Sequence, residues 1–194
     1  ADDCRREPDG CLIYTKTTCR IALVGRSRTA TMYVLGHVGI SLLLFAPFAG
    51  ALVSTEPLLV VLTGILMIGF APLPDLDTYT DRVAHRGPTH TLWFALGVGL
   101  VVAALAGTTA SVVDTLGLSL TPRETTSWFG GVSTLAVLGH LAGDIITPMG
   151  LRPFRPISGR HYTFDLTPSK SPHANRLCFG VGIISLVIVL LATT

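Results

Sequence analysis

Five apolar blocks of 16 to 22 residues constrain this chain more than any other feature of its sequence. They run 32–53, 57–72, 89–106, 128–147 and 177–192. A helix of that length crosses a hydrocarbon core of about 30 Å at about 1.5 Å per residue. Backbone polar groups in lipid have to be satisfied within the chain, so only helices and closed barrels can cross. Barrel strands would be about 9–11 residues long and would alternate in polarity. The blocks do neither, so the sequence predicts an all-α membrane bundle of about five transmembrane helices. Composition agrees: 49% of residues are hydrophobic and 13% charged, against about 25% charged in ordinary soluble domains.

The net charge of +2 comes from dispersed basic residues, which does not suit nucleic-acid binding. Residues 1–31 are polar and hold no apolar core of about 7–15 residues, so they do not read as a secretory signal. With Ala rather than Met at position 1, they are expected to be a disordered tail or an upstream extension. Residues 32–194 are then the membrane domain. Cys4, Cys11, Cys19 and Cys178 form no CxxC pair and are expected to be reduced thiols.

Basic residues predict the orientation. Five spans put the N-terminal segment, the 73–88 loop and the 148–176 loop on one side. That side holds 13 of the 14 lysines and arginines, and the other side holds Arg123 alone. The first side, with the N-terminus, is expected to be cytoplasmic.

Ionisable side chains within spans are costly, of the order of 2.5–3.5 kcal/mol each, and mark function by default. The same topology gathers seven of them in one cytoplasmic layer. His37 lies near the start of the first span. Asp75 and Asp77 follow the second, and His85 and His90 open the third. His140 and Asp144 lie near the end of the fourth, four residues apart and so on one helix face. That spacing suits either one shared metal or a simple hydrogen-bonded pair. In an extended 75–77 segment, Asp75 and Asp77 would point to opposite sides. His90 is expected in the first turn of its helix, where free N–H groups favour an anion. Arg86 could grip a phosphate or carboxylate in a bidentate fork, or serve as a basic anchor at the membrane surface. Gly139 and Gly143 predict close helix approach. His161 and His173 read as solvated loop residues.

The combined pattern resembles the YdjM-type inner-membrane, LexA-regulated metal-dependent hydrolases. Carrying the likeness are His37, Pro74-Asp75-Leu76-Asp77, His85-Arg86-Gly87-x-Thr89-His90, and His140-x-x-x-Asp144-x-x-Thr147-x-x-Gly150. It covers residues 32 to about 192. It implies a membrane-embedded hydrolase with a divalent metal. In order alone, His, Asp, His and HxxxD also resemble the ligands of zinc-dependent phospholipases C and related nucleases.

The expected function is therefore a metal-dependent hydrolase at the cytoplasmic face of the cell membrane. Its expected ligands are His37, Asp75, His90, His140 and Asp144, holding zinc or manganese. Asp77 and His85 are candidates for orienting groups or a general base, and Arg86 for the substrate anion. Membrane lipids are the expected surroundings, and a lipid-like phosphoester the expected substrate. The competing readings are a divalent-cation or proton transporter and a non-catalytic scaffold with a structural metal. Only Ser41, Thr63, Ser133 and Thr134 are polar in the outer halves of the spans, which weighs against a transport path.

Overall fold

The computed structural model describes residues 34–79, 86–109, 115–118, 120–168 and 171–193. The expectations for residues 1–31 with their three cysteines and for His85 lie outside the described residues.

Among the described residues, five helices form the fold: α1 (Val34–Leu52), α2 (Pro57–Phe70), α3 (Leu92–Thr108), α4 (Pro122–Ile146) and α5 (Pro172–Thr193). Two 3-10 segments, Leu73–Tyr79 and Pro88–His90, lie between α2 and α3 in the chain. Among the described residues there is no β-strand, and an isolated bridge joins Leu151 to Tyr162. Among the described residues, four helices are long and apolar enough to cross a membrane, α2 being counted with its 3-10 continuation, while α3 is a shorter apolar helix. Many of their largest apolar side chains are exposed, including Leu100, Ile184 and Leu191, as lipid contact requires.

α1 packs mainly on α5, and α3 on α4. α1 and α5 run parallel: Gly39 lies against Cys178 and Gly182, and Gly50 against Val189. A Cβ at Gly39 or Gly182 would enter the other helix's backbone. This is small-residue packing, which replaces the hydrophobic effect as the reason for helix association in lipid. Phe45, Met67 and Ala136 form the buried centre where α1, α2 and α4 meet.

Helix ends follow local chemistry. α4 starts earlier than its apolar block, because Thr121 caps it and Glu124 reaches back in a capping box with Pro122 at the first turn. α2 stops at Phe70, before Pro72 and Pro74. The chain beyond is not the extended segment expected for Asp75 and Asp77. It is a 3-10 helix, in which the Asp75 N–H donates to the Pro72 carbonyl at 3.1 Å. His90 also departs from expectation. It lies in the short 3-10 turn before α3, its N–H donates to Gly87, and Thr91 caps the helix instead. Its backbone N–H is therefore not available to an anion.

Candidate metal centre

Four chain segments bring their polar residues to one end of the bundle. α1 supplies His37, the 3-10 segment after α2 supplies Asp75 and Asp77, the turn before α3 supplies Arg86 and His90, and α4 supplies His140 and Asp144. All three histidine side chains are fully buried, and Asp144 nearly so. Asp75 is the most open, with 16% of its side chain exposed, and is where the cluster meets solvent.

The change of helix type at Pro72 has a direct chemical result. In a continuing α-helix the Ala71 carbonyl would accept from Asp75. Asp75 bonds to Pro72 instead, and Ala71 O accepts from His140 Nδ1 at 2.8 Å. A carbonyl only accepts, so Nδ1 carries the proton and neutral His140 presents a lone pair at Nε2. His90 is held in a comparable way. Its Nδ1 lies 3.3 Å from Asp77 Oδ2 and 3.0 Å from Thr89 Oγ1. Thr89 Oγ1 also donates to Asp77 Oδ2 at 2.6 Å. Asp77 thus sits behind the His90 ring, buried rather than solvated.

Nε2 of His90 and Nε2 of His140 face each other at 3.3 Å. Asp75 Oδ1 lies 3.5 Å from each. Asp144 Oδ2 lies 3.4 Å from His90 and 3.7 Å from His140. Ligands about 2.0–2.2 Å from a tetrahedral metal are separated by about 3.3–3.6 Å. Five of the six edges among these four atoms lie at or near that range, while Asp144 groups with His37 and His140 rather than with Asp75 and His90.

His37 joins differently. Its ring stacks on His140 with centroids 3.8 Å apart and planes 15° from parallel. Its Nε2 lies 4.0 Å from Asp75 Oδ2 and 3.9 Å from Asp144 Oδ1, the opposite oxygens of the same carboxylates. His37, His140 and Asp144 form one group with ligand atoms within 4.8 Å of one another, and Asp75, His90 and His140 form another. The His90 and His140 rings meet edge to face instead, with planes 65° apart. Both His37 nitrogens and Asp144 Oδ2 are buried without a hydrogen-bond partner. Such orphans each cost about 1–3 kcal/mol and fit a site built for a cation.

Arg86 is not poised as a free anion fork. Its guanidinium donates to Asp144 Oδ1 at 2.6 Å and to the Gly150 carbonyl at 2.8 Å. Arg86 holds a left-handed φ of 60°, unusual for a branched-free but bulky residue and a mark of a constrained position.

A family model described as YdjM inner membrane protein matches residues 32–193. The chain belongs to that family. No curated protein and no solved structure matches it. In this YdjM member the bundle thus lies in a membrane, with a His/Asp group that could hold a metal at one end.

Reading by residue type left out the supporting groups. The Ala71 carbonyl carries no side-chain signal. Thr89 stands inside the His-Arg-Gly-x-Thr-His motif, and Thr147 and Gly150 inside the motif that begins at His140. Thr147 Oγ1 and the Gly150 carbonyl surround the Arg86 guanidinium. Gly150 has a φ of 52°, a conformation glycine adopts freely. His161 donates from Nε2 to Met149 O at 2.8 Å and holds the loop, while His173 is exposed.

Proposed function

We propose that this protein is a membrane-embedded, metal-dependent hydrolase acting at the cytoplasmic face on a phosphoester or lipid-like substrate. One observation carries the reading. The Nε2 atoms of His90 and His140 face each other at 3.3 Å, with each ring's Nδ1 engaged behind it. Two carboxylate oxygens complete the ring of electron pairs. A divalent cation is the natural occupant of such a set, and imidazole with carboxylate suits zinc or manganese.

Asp75, His90, His140 and Asp144 would hold the ion, with His37 packed on His140 and facing the remaining carboxylate oxygens. Such an ion supplies Lewis acidity toward a phosphoryl or acyl oxygen. Asp77 fixes the tautomer and direction of His90. Arg86 neutralises and orients Asp144. Asp75, as the exposed member, borders the place where substrate and water would enter.

The substrate class is supported by a neighbouring cleft of about 750 Å³, lined by Pro88, Thr91, Trp93, Phe94 and Arg155. Pro88 and Thr91 belong to the segment that carries His90, though the ligands themselves do not line the cleft. Aromatic walls with one guanidinium suit an anion bearing an apolar group. Transport finds less support. Ser133, Thr134 and Thr63 donate to carbonyls of their own helices, and Ser41 donates to Ala136 O across the helix contact.

The test is a hydrolysis screen of the full chain in bilayers, using lipid phosphoesters with zinc or manganese. Release of phosphate or headgroup that chelation abolishes, and that His140→Ala lacks, is expected. No turnover with any phosphoester or ester under either ion would overturn the proposal.

A further inference from the structure

The segment between α4 and α5 folds back on the bundle. Leu151 and Tyr162 exchange backbone hydrogen bonds at 3.0 and 2.9 Å. The return leg then bonds to the end of α4: Phe164 N–H donates to Ile145 O at 2.7 Å, and Leu166 N–H to Ile146 O at 2.9 Å. α4 has 25 residues, about 37 Å at 1.5 Å per residue, and its first turn is polar. Its apolar stretch from Trp128 therefore fills the hydrocarbon core, and Ile145 and Ile146 lie at the edge of that core. Phe164 and Leu166 are fixed at the same depth.

Their side chains are not packed on protein. Phe164 is 70% exposed, Leu166 74% and Ile157, at the tip of the outgoing leg, 77%. Phe164 and Leu166 flank Asp165, whose φ of 49° turns the chain, and both side chains face outward from the protein. Arg152, Arg155 and Arg160 are exposed on the same segment, and none of them meets a carboxylate among the described residues. Asp165 is the segment's one acid. Apolar and aromatic side chains at the core edge with arginines beside them are what a headgroup layer of negative charge binds.

We propose that the 151–166 segment is an interfacial anchor that inserts Ile157, Phe164 and Leu166 into the adjacent leaflet and gathers anionic phospholipids around Arg152, Arg155 and Arg160. This anchor does not need a metal in the cluster. It does set one wall of the Arg155 cleft at the lipid surface.

The test places a photo-crosslinking benzoylphenylalanine at position 164 or 166 of the full chain in phosphatidylcholine–phosphatidylglycerol vesicles. A third position, Leu100, is exposed on α3 and serves as control. Phospholipid adducts are expected at 164 and 166, enriched in phosphatidylglycerol several-fold over its share of the bilayer. One engaged arginine at about 1 kcal/mol corresponds to roughly fivefold. Enrichment should fall toward unity in the R152Q/R155Q/R160Q variant and, should that variant fail to insert, in the unaltered arginine background at about 1 M salt. Leu100 should give adducts without headgroup preference. Adducts without enrichment, crosslinks to a second copy of the chain, or no lipid adduct at 164 and 166 would each overturn the proposal.

Discussion

His140 Nδ1 donates to the carbonyl of Ala71 at 2.8 Å, across 69 positions of sequence. The carbonyl is available because α2 ends at Phe70 and the chain tightens into a 3-10 helix at Pro72. Replacing both Pro72 and Pro74 by Ala should let the α-helix run on and return Ala71 O to the backbone ladder. His140 would lose its anchor. Metal affinity is expected to fall about 10–100-fold, read by titration of the purified chain, with helix content by circular dichroism unchanged or slightly raised. Unchanged affinity would show that the anchor does not matter.

Gly143 makes room for the first histidine. A Cβ there would lie 2.7 Å from His37 Nδ1 and 3.1 Å from its Cε1. Gly143→Ala should therefore overpack the α1–α4 contact and cost about 1–3 kcal/mol. A Cβ at Gly131, on the same helix, meets nothing within 4 Å. Gly131→Ala should be neutral or slightly stabilising, since Ala favours helix over Gly. Thermal unfolding of both variants in detergent compares them directly, and equal stability would contradict the packing account.

Arg86 and Asp144 form a buried pair, with 8% and 2% of their side chains exposed. Removing the cation strands the carboxylate. Arg86→Ala is expected to destabilise the metal-free protein by about 3–5 kcal/mol. Adding Asp144→Asn should recover part of that loss, because the stranded charge is gone. Denaturation of the single and double variants measures the coupling, and strictly additive losses would rule it out.

Much of this was legible in the sequence, for physical reasons. Block length announced the helices, and the antiparallel order that follows brought His37, Asp75, His90, His140 and Asp144 to one end. The i,i+4 spacing of His140 and Asp144 announced their shared face. Local geometry at Asp75, Asp77 and His90 was not legible, because 3-10 segments are set by which carbonyl each N–H selects, and side-chain pattern is silent on that. The Arg86 partners were equally hidden. A guanidinium reads the same in sequence whether it awaits a substrate or holds Asp144. The start of α4 could have been found, since Thr121-Pro122-Arg123-Glu124 is a capping-box pattern, but its polar residues masked the helix.

The basic residues predict that Arg123 and the 148–176 loop lie on opposite sides of the membrane. Cysteines placed at Arg123 and Ser158 should react with a membrane-impermeant reagent from opposite faces of sealed vesicles, Ser158 from the cytoplasmic face. Neither position belongs to the cluster. Labelling from the same face would contradict the five-span topology and the cytoplasmic placement of the site.

The central claim is that Asp75, His90, His140 and Asp144 hold a divalent metal. The most direct measurement is the metal content of the purified full chain after chelation, reloading with zinc and removal of free ion. Arg86 already occupies Asp144 Oδ1, so the account predicts one tightly held ion per chain. It predicts less than about a tenth of that in H90A/H140A, a double variant that removes both converging nitrogens. An unaltered chain that retains no ion, or a double variant that retains the full complement, would contradict it.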